Sequence, residues 1–152
     1  MNTLARERSK AEILRRLRAV RPESPRRWGR MSAPQMVCHL IDACRMATGE
    51  KRVSDATSLV QRTVVKWIAL YAPLPWPPGI LTRPEIDQEV GGTCPGDFDA
   101  DVAELERLIE AIAASRGITE WPSHPIFGRM SAADWLRWGY LHVDHHLRQF
   151  GA

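Results

Sequence analysis

Residues 130–151, "MSAADWLRWGYLHVDHHLRQFG", combine a helix start, an apolar stripe and three histidines within five positions. Ser131 is a favourable N-cap, and Asp134 three residues later can complete a capping box. The apolar positions recur at helical spacing and comprise Ala132, Leu136, Val143, Leu147 and Phe150. The stretch therefore predicts an amphipathic helix on which each histidine can be assigned to a face.

The three histidines fall on two different faces of this predicted helix. His142 and His146 are four residues apart, so they lie one above the other at the flank of the apolar stripe. His145 points about 100° away from His146, towards the acidic solvent side that carries Asp144. Gly139 shares the flank of His142 and His146, and its missing side chain predicts open space beside them.

A second helix with the same kind of start carries a fourth histidine. In "MSAPQMVCHLIDACRMATG", Ser32 and Gln35 predict a capping box, and Gly49 predicts the end of the helix. His39 falls at the border of the apolar face, while Asp42 is expected to point outwards. Two helices thus each bring histidine to the edge of a buried surface.

The rest of the chain also favours helices. We expect a first helix over residues 4–20, a third over about 57–71 and a fourth that begins near Asp97 and stops at Gly117. Residues 72–96 hold six prolines and four glycines, which predicts a long loop of the kind that often forms a site wall. No stretch alternates like a strand, so the predicted fold is all-α: four longer helices around one core, with the N-terminal helix packed alongside or serving as one of the four.

Length and composition predict a single domain over residues 1–152. The apolar fraction of 44% and the charged fraction of 26% are typical of a globular protein. The net charge is only +3, but residues 1–30 are rich in arginine and form a basic N-terminal region, with the helix ascribed to residues 1–24. No aromatic residue lies among these arginines before Trp28, so a solvated helix face with a few ion pairs is favoured over a nucleic-acid or anionic surface.

The cysteines and the hydropathy pattern predict a reduced cytoplasmic protein. Cys38 and Cys44 are six residues apart on one predicted helix, which suits neither a disulfide nor a CxxC motif, and Cys94 leaves the count odd. The longest apolar run, "VVKWIALYAPL", is short and is interrupted by Lys66, so no membrane span is expected.

The histidine pattern suits a catalytic metal. Two imidazoles from one helix and one from a facing helix would hold an ion through His39, His142 and His146 and leave coordination positions open. No glutamate follows His142 as in HExxH, which disfavours metalloprotease chemistry. The alternative is that His142 and His146 bond to carbonyls or pack against tryptophans without metal.

Three stretches together resemble a known family. "WGRMSAPQMVCHL", "WPPGILTRPE" and "HPIFGRMSAADWLRWGYLHVDHHLRQFG" are similar to the DinB-like (YfiT-like) superfamily of metal-binding four-helix bundles, over residues 25–152. The resemblance implies an up-down-down-up bundle, a homodimer, and a site of one early histidine and a late HxxxH pair, which fall on His39, His142 and His146. It implies zinc or nickel, with iron or manganese as alternatives.

Characterised relatives in that superfamily include thiol-dependent S-transferases and an isomerase that uses low-molecular-weight thiols. The resemblance therefore implies a metal-dependent thiol transferase acting on a small-molecule substrate, with a pocket shaped by the Trp76 loop, Trp135 and Trp138. The alternatives are a non-catalytic metal-binding or stress-response module and a helical scaffold without metal. Cys38 and Cys44 offer a rival nucleophile.

For two further residues, the sequence leaves two interpretations open. His124, in "SHPIF", either fixes a turn next to a proline or lines the mouth of the pocket. Gln149, one turn beyond His146, either caps the helix end or supports a ligand from the second coordination shell.

Overall fold

The all-α prediction is confirmed. The computed structural model describes residues 1–80, 82–114 and 120–152, and within these ranges it contains helices and no strand. A π-helical segment, Gln61–Val65, runs into the third α-helix, and a 3₁₀ turn, Pro84–Ile86, interrupts the long loop. The α-helices in chain order are α1 (Glu7–Leu17), α2 (Ala33–Thr48), α3 (Lys66–Tyr71), α4 (Phe98–Ala114) and α5 (Ala132–Gln149).

Helix α5 is the centre of the packing. It contacts α1, α2, α3 and α4, while α2 packs mainly against α4. Leu40 of α2, Ile109 of α4 and Leu147 of α5 are at most 1% exposed and belong to one continuous core. The two helices that carry the histidines are therefore neighbours held by a shared apolar interior. None of the helices in the described ranges is long and apolar enough to cross a membrane.

The predicted helix starts are confirmed at atomic detail. Ser32 and Gln35 form a complete capping box at α2, as do Ser131 and Asp134 at α5. Gly49 ends α2 with a φ of 82°, a left-handed conformation that glycine adopts without steric cost. The side chains of the two capping boxes accept hydrogen bonds from backbone N–H groups that a helix start leaves unpaired.

The predicted bounds of the first and third helices need correction. Helix α1 is shorter than residues 4–20, because the backbone N–H of Leu4 bonds to the carbonyl of Leu136 at 3.1 Å and so joins α5. The third helix is not regular: the backbone N–H of Lys66 reaches back to the carbonyl of Gln61, the spacing of a π-helix. Helix α4 begins one residue after Asp97, and the predicted stop at Gly117 lies outside the described residues.

The segment of residues 59–80 packs loosely. Leu70 is its one fully buried large side chain among the described residues. Trp67 is 63% exposed and Leu59 is 79% exposed, so apolar side chains face solvent over most of the segment. The predicted third helix is therefore a surface element in which Leu70 is the buried anchor.

Asp42 is buried, which contradicts its predicted outward position. Its carboxylate accepts from the backbone N–H and the hydroxyl of Thr93, at 2.8 and 2.7 Å, and from the amide of Gln88. Lys51 pairs with it at 2.8 Å. The helical wheel failed here because the loop that contains Gln88 and Thr93 folds over this side of α2 and supplies the partners that a buried charge requires.

Three cationic side chains of α1 and its C-cap form ion pairs with other helices. Lys10 lies 2.6 Å from Glu110, and Arg18 lies 2.7 Å from Glu106 of the same helix α4. Arg16 lies 2.7 Å from Asp144 of α5. These pairs agree with the interpretation of the N-terminal helix as a solvated face with a few ion pairs.

Candidate metal centre

The structure brings together the three histidines proposed from sequence. His39 projects from α2, and His142 and His146 project from successive turns of α5. One ring nitrogen from each lies within 4.8 Å of the others, and the Nε2 atoms of His39 and His142 are 3.2 Å apart. His39 and His146 are 3% and 7% exposed, and His142 is partly buried with an edge on a cavity.

A backbone carbonyl fixes the protonation of the His39 ring. Its Nδ1 lies 2.8 Å from the carbonyl oxygen of Ile86, in the 3₁₀ turn. A carbonyl oxygen can only accept, so Nδ1 carries the proton and donates it. The electron pair of the neutral ring is then on Nε2, the atom that faces His142.

A glutamine fixes His146 in the same way. The Gln149 side chain donates from Nε2 to the carbonyl of Trp28 at 2.9 Å, which leaves its Oε1 facing His146 Nδ1 at 2.9 Å. Nδ1 must therefore donate, and the electron pair of His146 is on Nε2. The structure places the Gln149 amide against His146 and not at the helix end, where Phe150 is the C-cap of α5.

Burial keeps these rings neutral. Removal from water lowers the pKa of His39, His142 and His146, because a charged imidazolium loses its hydration there. The neighbouring imidazoles lower the pKa of His142 and His146 further. Neutral imidazole is the form that binds metal, so the cluster is in the ligating state without competition from protons.

The cluster forms part of the wall of a large cavity. Its volume is about 1070 Å³. Trp76, from the proline-rich loop, is held by a 2.7 Å hydrogen bond from its Nε1 to the carbonyl of Ala69. Trp135 does not line this cavity but packs behind Trp138 with ring centroids 5.3 Å apart. The large apolar side chains in the wall include Trp28, Val65, Ile68, Trp76, Phe127 and Trp138.

Two predictions about the cluster's surroundings are wrong. His145 is 7% exposed, not on the solvent side, because Trp28 and Trp76 from two loops cover it with ring centroids 5.9 and 6.0 Å away. Gly139 leaves no open space for a ligand, since a Cβ there would lie 2.8 Å from Cδ1 of Leu4. The N-terminal residues, not a substrate, fill that gap.

The cysteines do not supply a nucleophile at this cavity. Burial raises the pKa of Cys38 and of Cys44 to about 12, so both remain thiols at neutral pH. Neither is among the described residues that line the cavity, and Cys94 is exposed elsewhere. The rival cysteine mechanism therefore lacks support in the geometry.

His124 fulfils both interpretations offered for it. Its Nδ1 accepts from the backbone N–H groups of Ile126 and Phe127, at 3.1 and 3.2 Å, and its backbone pairs with Gly128 in both directions. It thus fixes the turn before α5, and the residue also lines the cavity. Burial lowers the pKa of His124 to about 3, so the ring stays uncharged.

Fold and site define a class: a helical protein with an oriented three-histidine cluster at the wall of an aromatic cavity. The family described as "Protein of unknown function (DUF1569)" matches residues 7–152, and the chain belongs to this family. Neither the curated proteins nor the solved structures gave a match.

Proposed function

We propose that the protein binds a divalent metal ion through His39, His142 and His146 and acts as a thiol S-transferase-type enzyme on a small molecule. One observation carries the metal part: hydrogen bonds at Nδ1 leave the electron pairs of His39 and His146 on Nε2, within one compact cluster. Oriented ligands with a hydrogen-bonded outer nitrogen are the arrangement that metal-binding histidines usually show. The resemblance to DinB-like proteins supports the same site.

The resemblance to DinB-like proteins favours zinc or nickel, with iron or manganese as alternatives. Imidazole suits zinc, nickel and iron, and three protein ligands leave coordination positions for other molecules. When bound, such an ion supplies Lewis-acid chemistry that lowers the pKa of a thiol and so favours the thiolate.

The chain's own contribution is to bind the reactants and exclude water. The cavity of about 1070 Å³ exceeds the ~300–1,000 Å³ common for small-molecule pockets, so a low-molecular-weight thiol and a second small molecule both fit. Trp76 and Trp138 offer flat apolar surfaces beside the cluster, with ring centroids 6.0 and 4.7 Å from that of His142. A reactive group placed there is removed from bulk solvent, which strengthens electrostatic interactions.

Metal analysis of protein prepared without a histidine tag tests the site. We expect near-stoichiometric metal in the unaltered protein, and its loss in His146→Ala. His145→Ala is the matched control, because His145 is adjacent, equally buried at 7% exposure, and outside the cluster. Metal-free unaltered protein, or equal metal loss in both variants, would refute the proposed site.

A second measurement separates the enzyme from the alternative, a non-catalytic metal-binding or stress-response module. The cobalt-loaded protein is mixed with several low-molecular-weight thiols, and its visible spectrum is followed. Thiol-dependent spectral changes and turnover with electrophilic acceptors are expected for the transferase. A silent spectrum with no turnover favours the non-catalytic module.

A further inference from the structure

Residues 59–80 concentrate the exposed apolar surface of the protein. Eleven large hydrophobic side chains of the described residues are exposed, and nine of them lie in this segment. Four of the nine recur at the spacing of one helix face and are between 39% and 63% exposed. We call them the outer stripe: Val60, Val64, Trp67 and Tyr71. Single exposed apolar residues are ordinary, but an apolar patch of several neighbours marks an interaction surface.

The opposite side of the same helical segment is apolar as well. Val65, Ile68 and Ala69 line the large cavity, and Leu70 is buried in the core. A helix that is apolar all round is normally covered all round, yet the protein covers only the inner side of this one. The outer stripe is therefore a surface without a partner within the described part of the chain.

The charges beside the outer stripe have one sign. Residues 56–84 contain no aspartate or glutamate. Arg62 and Lys66 belong to the segment, and Arg129 lies next to it, since its backbone carbonyl accepts from Nζ of Lys66 at 3.2 Å. Arg62 donates from Nε to the hydroxyl of Thr57 at 3.1 Å. Among the described residues, these three cations form no ion pair.

The acidic group nearest in effect to these cations is already occupied. Lys66 acts electrostatically on Asp134, but that carboxylate accepts from the hydroxyl of Tyr71 and from the backbone N–H of Ser131. The positive charge beside the stripe can therefore be matched by phosphate groups from outside the protein. Apolar and aromatic side chains flanked by lysine and arginine are the composition of segments that lie at the boundary between lipid headgroups and acyl chains.

We propose that the outer stripe docks the protein on an anionic phospholipid bilayer. Trp67 and the valines of the stripe enter the boundary of headgroups and chains, while Arg62, Lys66 and Arg129 meet the lipid phosphates. A second copy of this chain fits less well, because two-fold pairing sets the same patch against itself, with cations on both sides and no acid to match them.

Docking of this kind concerns one face of a bilayer and requires no spanning helix. It also needs no metal ion, so the inference goes beyond the proposed function and does not rest on it.

Cosedimentation with lipid vesicles tests the apolar part of the contact. We expect the protein to bind vesicles of phosphatidylcholine mixed with phosphatidylglycerol, and to bind pure phosphatidylcholine much more weakly. Val64→Asp should weaken binding about tenfold or more, since it places a carboxylate in the stripe. Val90→Asp is the matched control, because Val90 is 70% exposed outside the segment. No binding to the mixed vesicles, or equal losses in the two variants, would overturn the proposal.

Paired arginine variants test the charge. Replacing Arg62 and Arg129 by glutamine should weaken binding about fivefold for each cation removed, and added salt should reduce this difference. The control replaces Arg8 and Arg15, two exposed arginines of α1, in the same way. A larger loss in the control pair would place the lipid contact on α1 and refute the outer stripe as the docking surface.

Fluorescence quenching keeps the test decisive if Val64→Asp does not fold. Lipids with brominated acyl chains should quench the unaltered protein, and part of that quenching should be lost in Trp67→Phe, which keeps an apolar ring at the surface. Quenching that is identical in the two proteins would show that the stripe stays outside the bilayer, contrary to the proposal.

Two further measurements separate the other outcomes. If sedimentation equilibrium finds a dimer that Val64→Asp converts to a monomer, and vesicles are not bound, the stripe is an interface between copies and the lipid proposal is wrong. His146→Ala, which should lose the metal, is expected to bind vesicles like the unaltered protein. Vesicle binding in protein that never holds metal would support docking while refuting the metal site.

Discussion

The cavity has two walls of opposite character. On one side, α2 and α5 present His39 and His146 with every constraint in place: burial, core packing and a hydrogen bond at each Nδ1. On the other side, residues 59–80 are anchored through Leu70 and leave apolar side chains in solvent. Fixed geometry and loose packing thus belong to different parts of the chain. The difference indicates that α2 and α5 set the geometry of the histidine cluster, while the outer wall, apart from Trp76 beside His142 and His145, is held less tightly.

The largest difference between the two walls should appear in the free energy of unfolding when one tryptophan is replaced by alanine in each. Trp135 in α5 is 1% exposed and Trp67 in α3 is 63% exposed. We expect Trp135→Ala to lower the free energy of unfolding by about 3–5 kcal/mol, through lost burial and a cavity. Trp67→Ala should stay within about 0.5 kcal/mol. Urea denaturation of both variants measures this, and comparable losses would mean that the outer wall is part of the cooperative core.

Metal affinity should discriminate between two glutamines that both line the cavity. Gln149→Ala removes the hydrogen bond that orients His146, and we expect affinity to fall about 10–100-fold. Gln61→Ala, in the outer wall, is the matched control and should leave affinity unchanged. Competition with a chromophoric chelator gives both values. A similar loss in the two variants would show that His146 needs no orientation by Gln149.

Acid sensitivity should originate on the histidine side. Because burial lowers the pKa of His124 to about 3, the unfolded chain takes up a proton near pH 6.5 while the folded chain does not. The contribution of His124 to stability is therefore nearly constant above pH 6.5 and falls as the pH drops towards 3. From pH 7 to pH 5, His124 accounts for about 2 kcal/mol of that fall.

Denaturation of the unaltered protein and of His124→Asn at both pH values checks this contribution. The variant should lose about 2 kcal/mol less across the interval, since the other buried histidines remain in both proteins. Equal losses would mean that His124 is not held neutral by its surroundings.

Sequence reasoning succeeded where local rules decide the outcome. The capping boxes of Ser32 and Ser131 depend on neighbours three residues away, and the spacing of His142 and His146 depends on helical periodicity alone. The meeting of His39 with that pair needed only the placement of both faces against one core. These features involve no long loop.

The failures have one common cause. His145, Gly139 and Asp42 were assigned to faces correctly, but irregular segments cover those faces: the Trp28 and Trp76 loops, the N-terminal Leu4, and the loop around Thr93. The helical periodicity of a sequence carries no information about the path of such irregular segments.

The hydrogen-bond partners of His39 and His146 were hidden for a related reason. The carbonyls of Ile86 and Trp28 belong to the backbone, which has no sequence signature. A histidine pair at the flank of the apolar face, with a glutamine three residues after the second histidine, was the one available signal, and it left the role of Gln149 open. Tertiary packing, not local pattern, decided that role.

The separation of 103 positions in sequence that joins His39 to His142 has a consequence for the order of folding. Contacts so distant in sequence form after local helices, because closing a long loop costs chain entropy before any contact repays it. The pair on α5 can exist as soon as that helix forms, yet the complete cluster exists only when α2 has docked. Occupancy of the three-histidine site would therefore report the completion of folding rather than the presence of its strongest sequence motif.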